Sequence, residues 1–299
     1  MTFCRAGELT ERVTNVTSKQ LFLDIIERKR VEIRDLEYFA HVSENALKQA
    51  SNAVRMVEWQ REVASVLGEP SPYGSDEHFE RAKAHASKLA TFADTENASG
   101  QPYLFGTCTV RLCALLEALV DDLVANTLRE PGRCKDQQLL GRLKGPLIEF
   151  SRATSDEQAE LLMETLKQAV SANPKDGSGR FEVLLDPIGL GGSVSDDVNR
   201  AFHEMIQVRN VLMHRCAKAD RRLVDGCPWL GLKRGDAVLV TGQRFHGYRL
   251  AAYWYLIELR CRVFEWYGEA RPSSASDIHR EVRIEVSKVL GYESPVPPD

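Results

Sequence analysis

I-Q-V-R-N-V-L-M-H-R, residues 206–215, sets apolar residues at helical steps and interrupts them with Arg209, Asn210 and His214. At roughly 100° per residue, His203, Gln207, Asn210 and His214 fall on one polar stripe, whereas Arg209 lands in the arc of Phe202, Met205, Ile206 and Met213. A guanidinium on an apolar face is costly unless it is paired or lines a cleft, so Arg209 needs a carboxylate or an anionic ligand. Upstream, Ser195 stands at an N-cap position, with Asp196 and Asp197 in the first turn. Downstream, C-A-K-A-D-R-R dissolves the period, so the helix is expected to end just after His214.

Outward from this helix, most of the chain keeps a helical period. Leu9 to Leu67 reads as a long, charged helical pattern with apolar residues at Leu21, Ile25, Ile26, Ile33, Leu36, Phe39 and Ala40, within a first hundred residues expected to form two or three helices. E-P-S-P-Y-G-S-D, 69–76, breaks it, and a second helix is expected from about His78 to Ala93. T-E-N-A-S-G-Q-P, 95–102, is the candidate boundary loop. Further helical periods follow at 104–129, 135–152 and 155–172, then a glycine-rich loop, I-G-L-G-G-S, read as a flexible helix entry. After the motif helix, C-P-W-L-G-L-K-R-G-D-A-V-L-V-T-G predicts a turn and a short β-hairpin, with Val238 to Thr241 the clearest strand. A last long helix is expected at about Tyr248 to Tyr267, followed by a Pro/Ser linker and a short amphipathic tail. The expected fold is all-α: a helical bundle with one small β-hairpin after the motif helix, preceded by a long helical region. Its divisions are 1–98, 99–270 and 271–299.

Composition limits the chemistry. A net charge of −4 excludes a general polyanion binder, yet between Arg209 and Arg234 seven basic residues face two acidic ones. Arg215, Lys218, Arg221 and Arg222 in that stretch are candidates to hold a phosphate backbone. The greasiest segment, L-C-A-L-L-E-A-L-V, carries Glu117, and no uninterrupted apolar run approaches a bilayer span; with no apolar signal core at the N-terminus, a cytoplasmic protein with no membrane partner is expected. Seven scattered cysteines without a C-x-x-C pair argue for reduced, partly buried thiols, and for neither zinc nor disulfides. No D-x-D pair follows the glycine loop, the phosphate-loop lysine is missing, and there is no G-x-S-x-G, so nucleotidyltransferase and serine or cysteine hydrolase readings fail. Glu117 and Asp121, four apart on one helix edge, read as solvent-facing carboxylates. What stays is an imidazole at a helix end, where it faces the negative pole of the dipole, and an arginine able to grip phosphate in a forked geometry. Those two groups suffice for RNA cleavage without metal or cofactor.

R-N-V-L-M-H resembles the R-x4-6-H signature of the HEPN superfamily, in which a polar residue, often Asn, follows the arginine. The spacing recurs at Arg34 to His41, without the Asn and without a helix end, and that copy is read as a decoy. The context after the motif, an Asp, a W-L-G-L turn and G-D, and the earlier R-L-C-A-L-L-E-A-L-V-D-D-L-V helix extend the resemblance over about residues 102–268. The resemblance implies a metal-independent endoribonuclease, a toxin or antiviral-defence effector acting on RNA as a homodimer with one composite cleft. An antitoxin or a nucleotidyltransferase would restrain it. It assigns His214 to proton transfer, Arg209 to the scissile phosphate and Asn210 to orientation, with Glu117 as the partner of Arg209. In some members the same bundle serves only RNA or nucleotide binding, or dimerisation.

Overall fold

The computed structural model describes residues 4–129, 134–142, 147–171 and 176–292. Its helices, in chain order, are α1 (Cys4–Ala50), α2 (Ala53–Leu67), α3 (Asp76–Ala98), α4 (Pro102–Leu128), α5 (Gln137–Arg142), α6 (Leu147–Arg152), α7 (Ser155–Ser171), α8 (Gly179–Leu185), α9 (Asp196–His214), α10 (Arg221–Gly226), α11 (Gly242–Trp266) and α12 (Ala275–Leu290). The all-α expectation therefore holds.

The long N-terminal period is divided between two helices. Ser51 and Asn52, side chains that compete with the backbone for hydrogen bonds, interrupt it, and Asn97 of α3 donates to Leu47 O at 3.3 Å and to Ser51 Oγ at 3.2 Å. α2 then folds back on α3, with Arg61 paired to Asp76 and lying over the Phe79 ring. The boundary loop also contracts. α3 runs to Ala98, and the turn needs only Ser99, Gly100 and Gln101, the last two at φ 80 and 58. Glu96 closes the turn by accepting from Tyr103 N at 3.0 Å, one of the free amides that begin α4.

α4 is the axis of the molecule. Leu112, Leu116, Leu119 and Leu123 are fully buried, and α1, α7, α8, α9 and α11 pack around them. Its length and mean hydropathy of 1.5 are those of a membrane span despite Glu117, but 61% of the apolar window is buried inside the fold. On α1 the buried stripe is Phe22, Ile26, Lys29, Ile33, with Leu36 partly buried, and Ala40, a 4-3-4-3-4 spacing that keeps one seam against α4 and α11. Leu21 and Phe39, expected inside, are 48% and 56% exposed because their neighbours Phe22 and Ala40 hold the seam. The expected amphipathic tail is α12, docked on α11 and α9 through Val286 and Leu290.

The β-hairpin is not formed. Among the described residues there is no strand, only a single antiparallel bridge between Lys218 and Ala237. Val238 and Val240 do alternate inward around exposed Leu239, as a strand would. Their segment pairs instead with the residues just past the motif helix: Val238 N donates to Ala217 O and Ala219 N to Asp236 O, both at 2.8 Å. Cys216 and Ala217, at φ 49 and 56, make the sharp reversal that brings 217–219 there.

The glycine-rich loop is clamped rather than flexible. Arg262, 5% exposed, donates to Leu190 O and Ser193 O at 3.1 Å each, and to Glu182 and Glu258. Glu182 also accepts from Gly192 N at 2.8 Å and from Tyr255 Oη at 2.7 Å. The glycines are there for close approach: a Cβ on Gly191 would sit 2.7 Å from the Asp186 Cα and still nearer its carboxylate. Gly191→Ala is expected to cost about 1–3 kcal/mol, read as a lowered denaturation midpoint, whereas an unchanged midpoint would show the loop free to shift.

Candidate functional site

Helix α9 has the limits its sequence announces. Ser195 is the N-cap residue, although its side chain makes no capping hydrogen bond, and His214 is the last helical residue. The apolar arc buries Val198, Ala201, Phe202, Met205, Val208 and Val211 against α4, α11 and α12. α4 and α9 run antiparallel, with Leu212 lying in the space left by Gly106 and Cys113 Sγ 4.0 Å from Met205 O.

Arg209 is half-buried, its side chain 26% exposed, and it finds the carboxylate that its position demands. Its Nη2 lies 3.7 Å from Glu117 Oε2. That is an ion pair too long for a hydrogen bond. A much tighter contact to Glu117 comes from α8, where Arg180 Nη2 donates to Oε1 at 2.8 Å. Arg209 Nη1 donates to the adjacent Asn210 Oδ1 at 3.2 Å, and its Nε is buried without a partner. Asn210 thus orients the guanidinium, and Glu117 neutralises it at a distance. Cys113, one turn before Glu117 on α4, is pushed up to about 12 by burial first and Glu117 second, so it stays a neutral thiol beside the two charges.

His214 stands exposed at the end of the helix. On an ideal helix it lies five residues, hence about 140° around the axis, from Arg209. The two side chains leave one copy of α9 in different directions. His203, placed by the sequence on the same polar stripe, has a structural duty: its Nε2 donates to Gly226 O at 3.1 Å and holds α10 against α9. Met213, in the arc expected to face the core, is 53% exposed beside the histidine.

The basic segment after the motif divides in two. Arg215 pairs with Asp220 at 3.7 Å and Arg221 with Asp225 at 3.1 Å. Lys218, Arg222, Lys233 and Arg234 are exposed, and their side chains have no ion-pair partner among the described residues. The decoy copy sits mid-helix on α1, with exposed Arg34 beside Asp35 and His41 beside Asn45. Asp121, read as solvent-facing, is held by Lys167 at 2.7 Å. Among the described residues no three His, Cys, Asp or Glu side chains converge closely enough to hold a metal ion.

Two features next to the motif were not read from the sequence. Glu204 is completely buried, accepting from Trp229 Nε1 at 2.5 Å, Tyr248 Oη at 2.7 Å, Tyr292 Oη at 3.0 Å, and from Arg244. A signal existed: Glu204 lies three residues after Ala201 and four before Val208, inside the apolar arc. The second is Arg180, whose approach to Glu117 joins residues 63 apart and leaves no local trace. Compared with known protein families, curated proteins and solved structures, the chain matches none of them significantly.

Proposed function

We propose that the chain is a metal-independent endoribonuclease of the HEPN type, acting through a composite site that two copies complete. The observation that carries this reading is the state of Arg209. It is oriented by Asn210 and partly buried, yet only loosely neutralised by Glu117 at 3.7 Å, with an unpartnered Nε. A guanidinium with a purely structural duty on this face would be expected to close short hydrogen-bonded pairs, as Arg262 does with Glu258 at 3.0 Å and Glu182 at 2.8 Å. Arg209 is free to exchange its distant carboxylate for a phosphate oxygen and to stabilise charge on a pentacoordinate phosphorus.

His214 supplies the proton transfer. An exposed imidazole at a helix end can take the proton of a 2′-hydroxyl as it attacks the adjacent phosphorus, or protonate the departing 5′-oxygen, leaving a 2′,3′-cyclic phosphate. Lys218, Arg222, Lys233 and Arg234 then supply backbone contacts that carry no base information. The divergence of Arg209 and His214 around one helix favours a site in which each copy contributes to the other's. In a cell such an activity would serve as a toxin or defence effector, held in check by an antitoxin or nucleotidyltransferase.

The purified chain is expected to cleave single-stranded RNA in excess EDTA, with Arg209→Ala and His214→Ala each reducing the rate by about 10²- to 10⁴-fold while circular dichroism is unchanged. Cleavage that disappears with EDTA, or that survives both substitutions, overturns the mechanism. In cells, growth arrest by the wild type and normal growth with His214→Ala would carry the same reading into its biological setting.

A further inference from the structure

Beside the Arg209–Glu117 pair, α4, α7, α8 and α9 enclose a cavity of about 510 Å³. That is within the range of small-molecule sites, roughly 300–1,000 Å³. Its floor is apolar, formed by Val170, Phe181, Leu184 and Ile206. At its wall and rim stand Lys167, Arg180 and Gln207, together with the carboxylates of Glu117, Asp121 and Asp176. Lys167 and Arg180 each lean on a carboxylate, Asp121 and Glu117, at 2.7 and 2.8 Å. Gln207, two residues before Arg209 on the same helix, lines the cavity, and its amide has no hydrogen-bond partner among the described residues. Glu117 belongs both to this wall and to the Arg209 pair, so the cavity and the candidate site are contiguous.

We propose that this cavity seats one base of the RNA chain, that Gln207 reads the edge of that base, and that Arg180 and Lys167 take the phosphate at the rim. This inference rests on the ribonuclease reading above and adds its specificity. An unpartnered carboxamide has a donor and an acceptor side by side, which calls for a ligand edge presenting the complementary pair. Unstacked bases of single-stranded RNA present such edges, together with a flat apolar face for the floor and an anion a few ångströms away for the rim. A purely apolar ligand would leave Gln207 without a partner. A simple anion would leave the floor unused. Because both cations are partly exposed and held by single carboxylates, they can move to a phosphate without abandoning a buried charge.

The test separates base reading from cleavage. Binding of four fluorescent single-stranded RNAs, differing only in one central base flanked by an invariant sequence, is measured by anisotropy on the full-length His214→Ala chain, which needs no turnover. One base is expected to bind about tenfold or more tightly than the worst of the four. Gln207→Leu should erase that ratio while leaving overall affinity within a few-fold. Val170→Trp, which fills the cavity without touching a polar group, should weaken all four RNAs by about tenfold. Arg180→Gln should weaken all four and preserve the ratio. In parallel, sites cut by the wild-type and Gln207→Leu proteins in a random RNA pool are sequenced. RNA cleavage with no base preference, or with a preference that survives both Gln207→Leu and Val170→Trp, overturns the base pocket and leaves the nuclease standing. A Gln207-dependent preference without any cleavage by the wild type overturns the nuclease and leaves the pocket standing. No RNA binding at all removes both.

Discussion

Glu204→Ala is expected to destabilise the fold by about 3–5 kcal/mol, seen as a large fall in the urea midpoint. The carboxylate is completely buried and gathers four donors from three separate segments: Trp229, Arg244 and Tyr248 of α11, and Tyr292 past α12. Removing it leaves the Arg244 guanidinium, about three-quarters buried, beside three polar hydrogens without an acceptor. Burial first, and Glu204 second, hold the Tyr248 phenol far above its ordinary range, so it remains a donor at any pH at which the protein folds. Glu204→Gln keeps an acceptor but loses the charge opposite Arg244, and should fall between wild type and alanine. A loss under about 1 kcal/mol in Glu204→Ala would mean that water or a rearranged side chain takes over, and that the cluster does not organise α9.

Equal mixing of Arg209→Ala and His214→Ala chains is expected to restore RNA cleavage that each lacks alone. In a two-fold composite site, random exchange makes about half the dimers mixed, and each mixed dimer holds one intact arginine and one intact histidine on opposite copies. The geometry behind this is the turn of about 140° that separates the two positions on one helix. Recovery should require subunit exchange, so it should follow a brief dissociation and fail when the copies are cross-linked beforehand. A mixture that stays as inactive as its components after exchange, verified by mass, would place the whole reaction within one copy.

How far the sequence could be read follows from how local each cause is. The limits of α9 and the need of Arg209 for a carboxylate were legible, since a cap, a helix end and a misplaced charge are properties of neighbouring residues, whereas Glu117, on another helix, came only from the resemblance. The seam of α1 was legible in period but not in phase: Leu21 and Phe22, or Phe39 and Ala40, fit a helical pattern about equally, and only α4 and α11 choose between them. The hairpin failed for a related reason. Val238–Leu239–Val240 does alternate, but the partner of an extended segment is chosen by tertiary packing, and here the reversal at Cys216 and Ala217 supplies a nearer one. The glycine loop was misjudged because its rigidity comes from Arg262, some seventy residues away in sequence.

The bond from Tyr292 to Glu204 has a consequence in time. It joins positions 88 residues apart, and at a synthesis rate of roughly 5–20 residues per second the last donor to the buried carboxylate is made about 4–18 s after α9 itself. During that interval α9 carries a carboxylate with an incomplete set of partners, and α12 is not yet there to cover it. A nascent chain is therefore expected to hold the Arg209–His214 helix in an unfinished setting until Tyr292 has left the ribosome, which delays any cleft that two copies must build together.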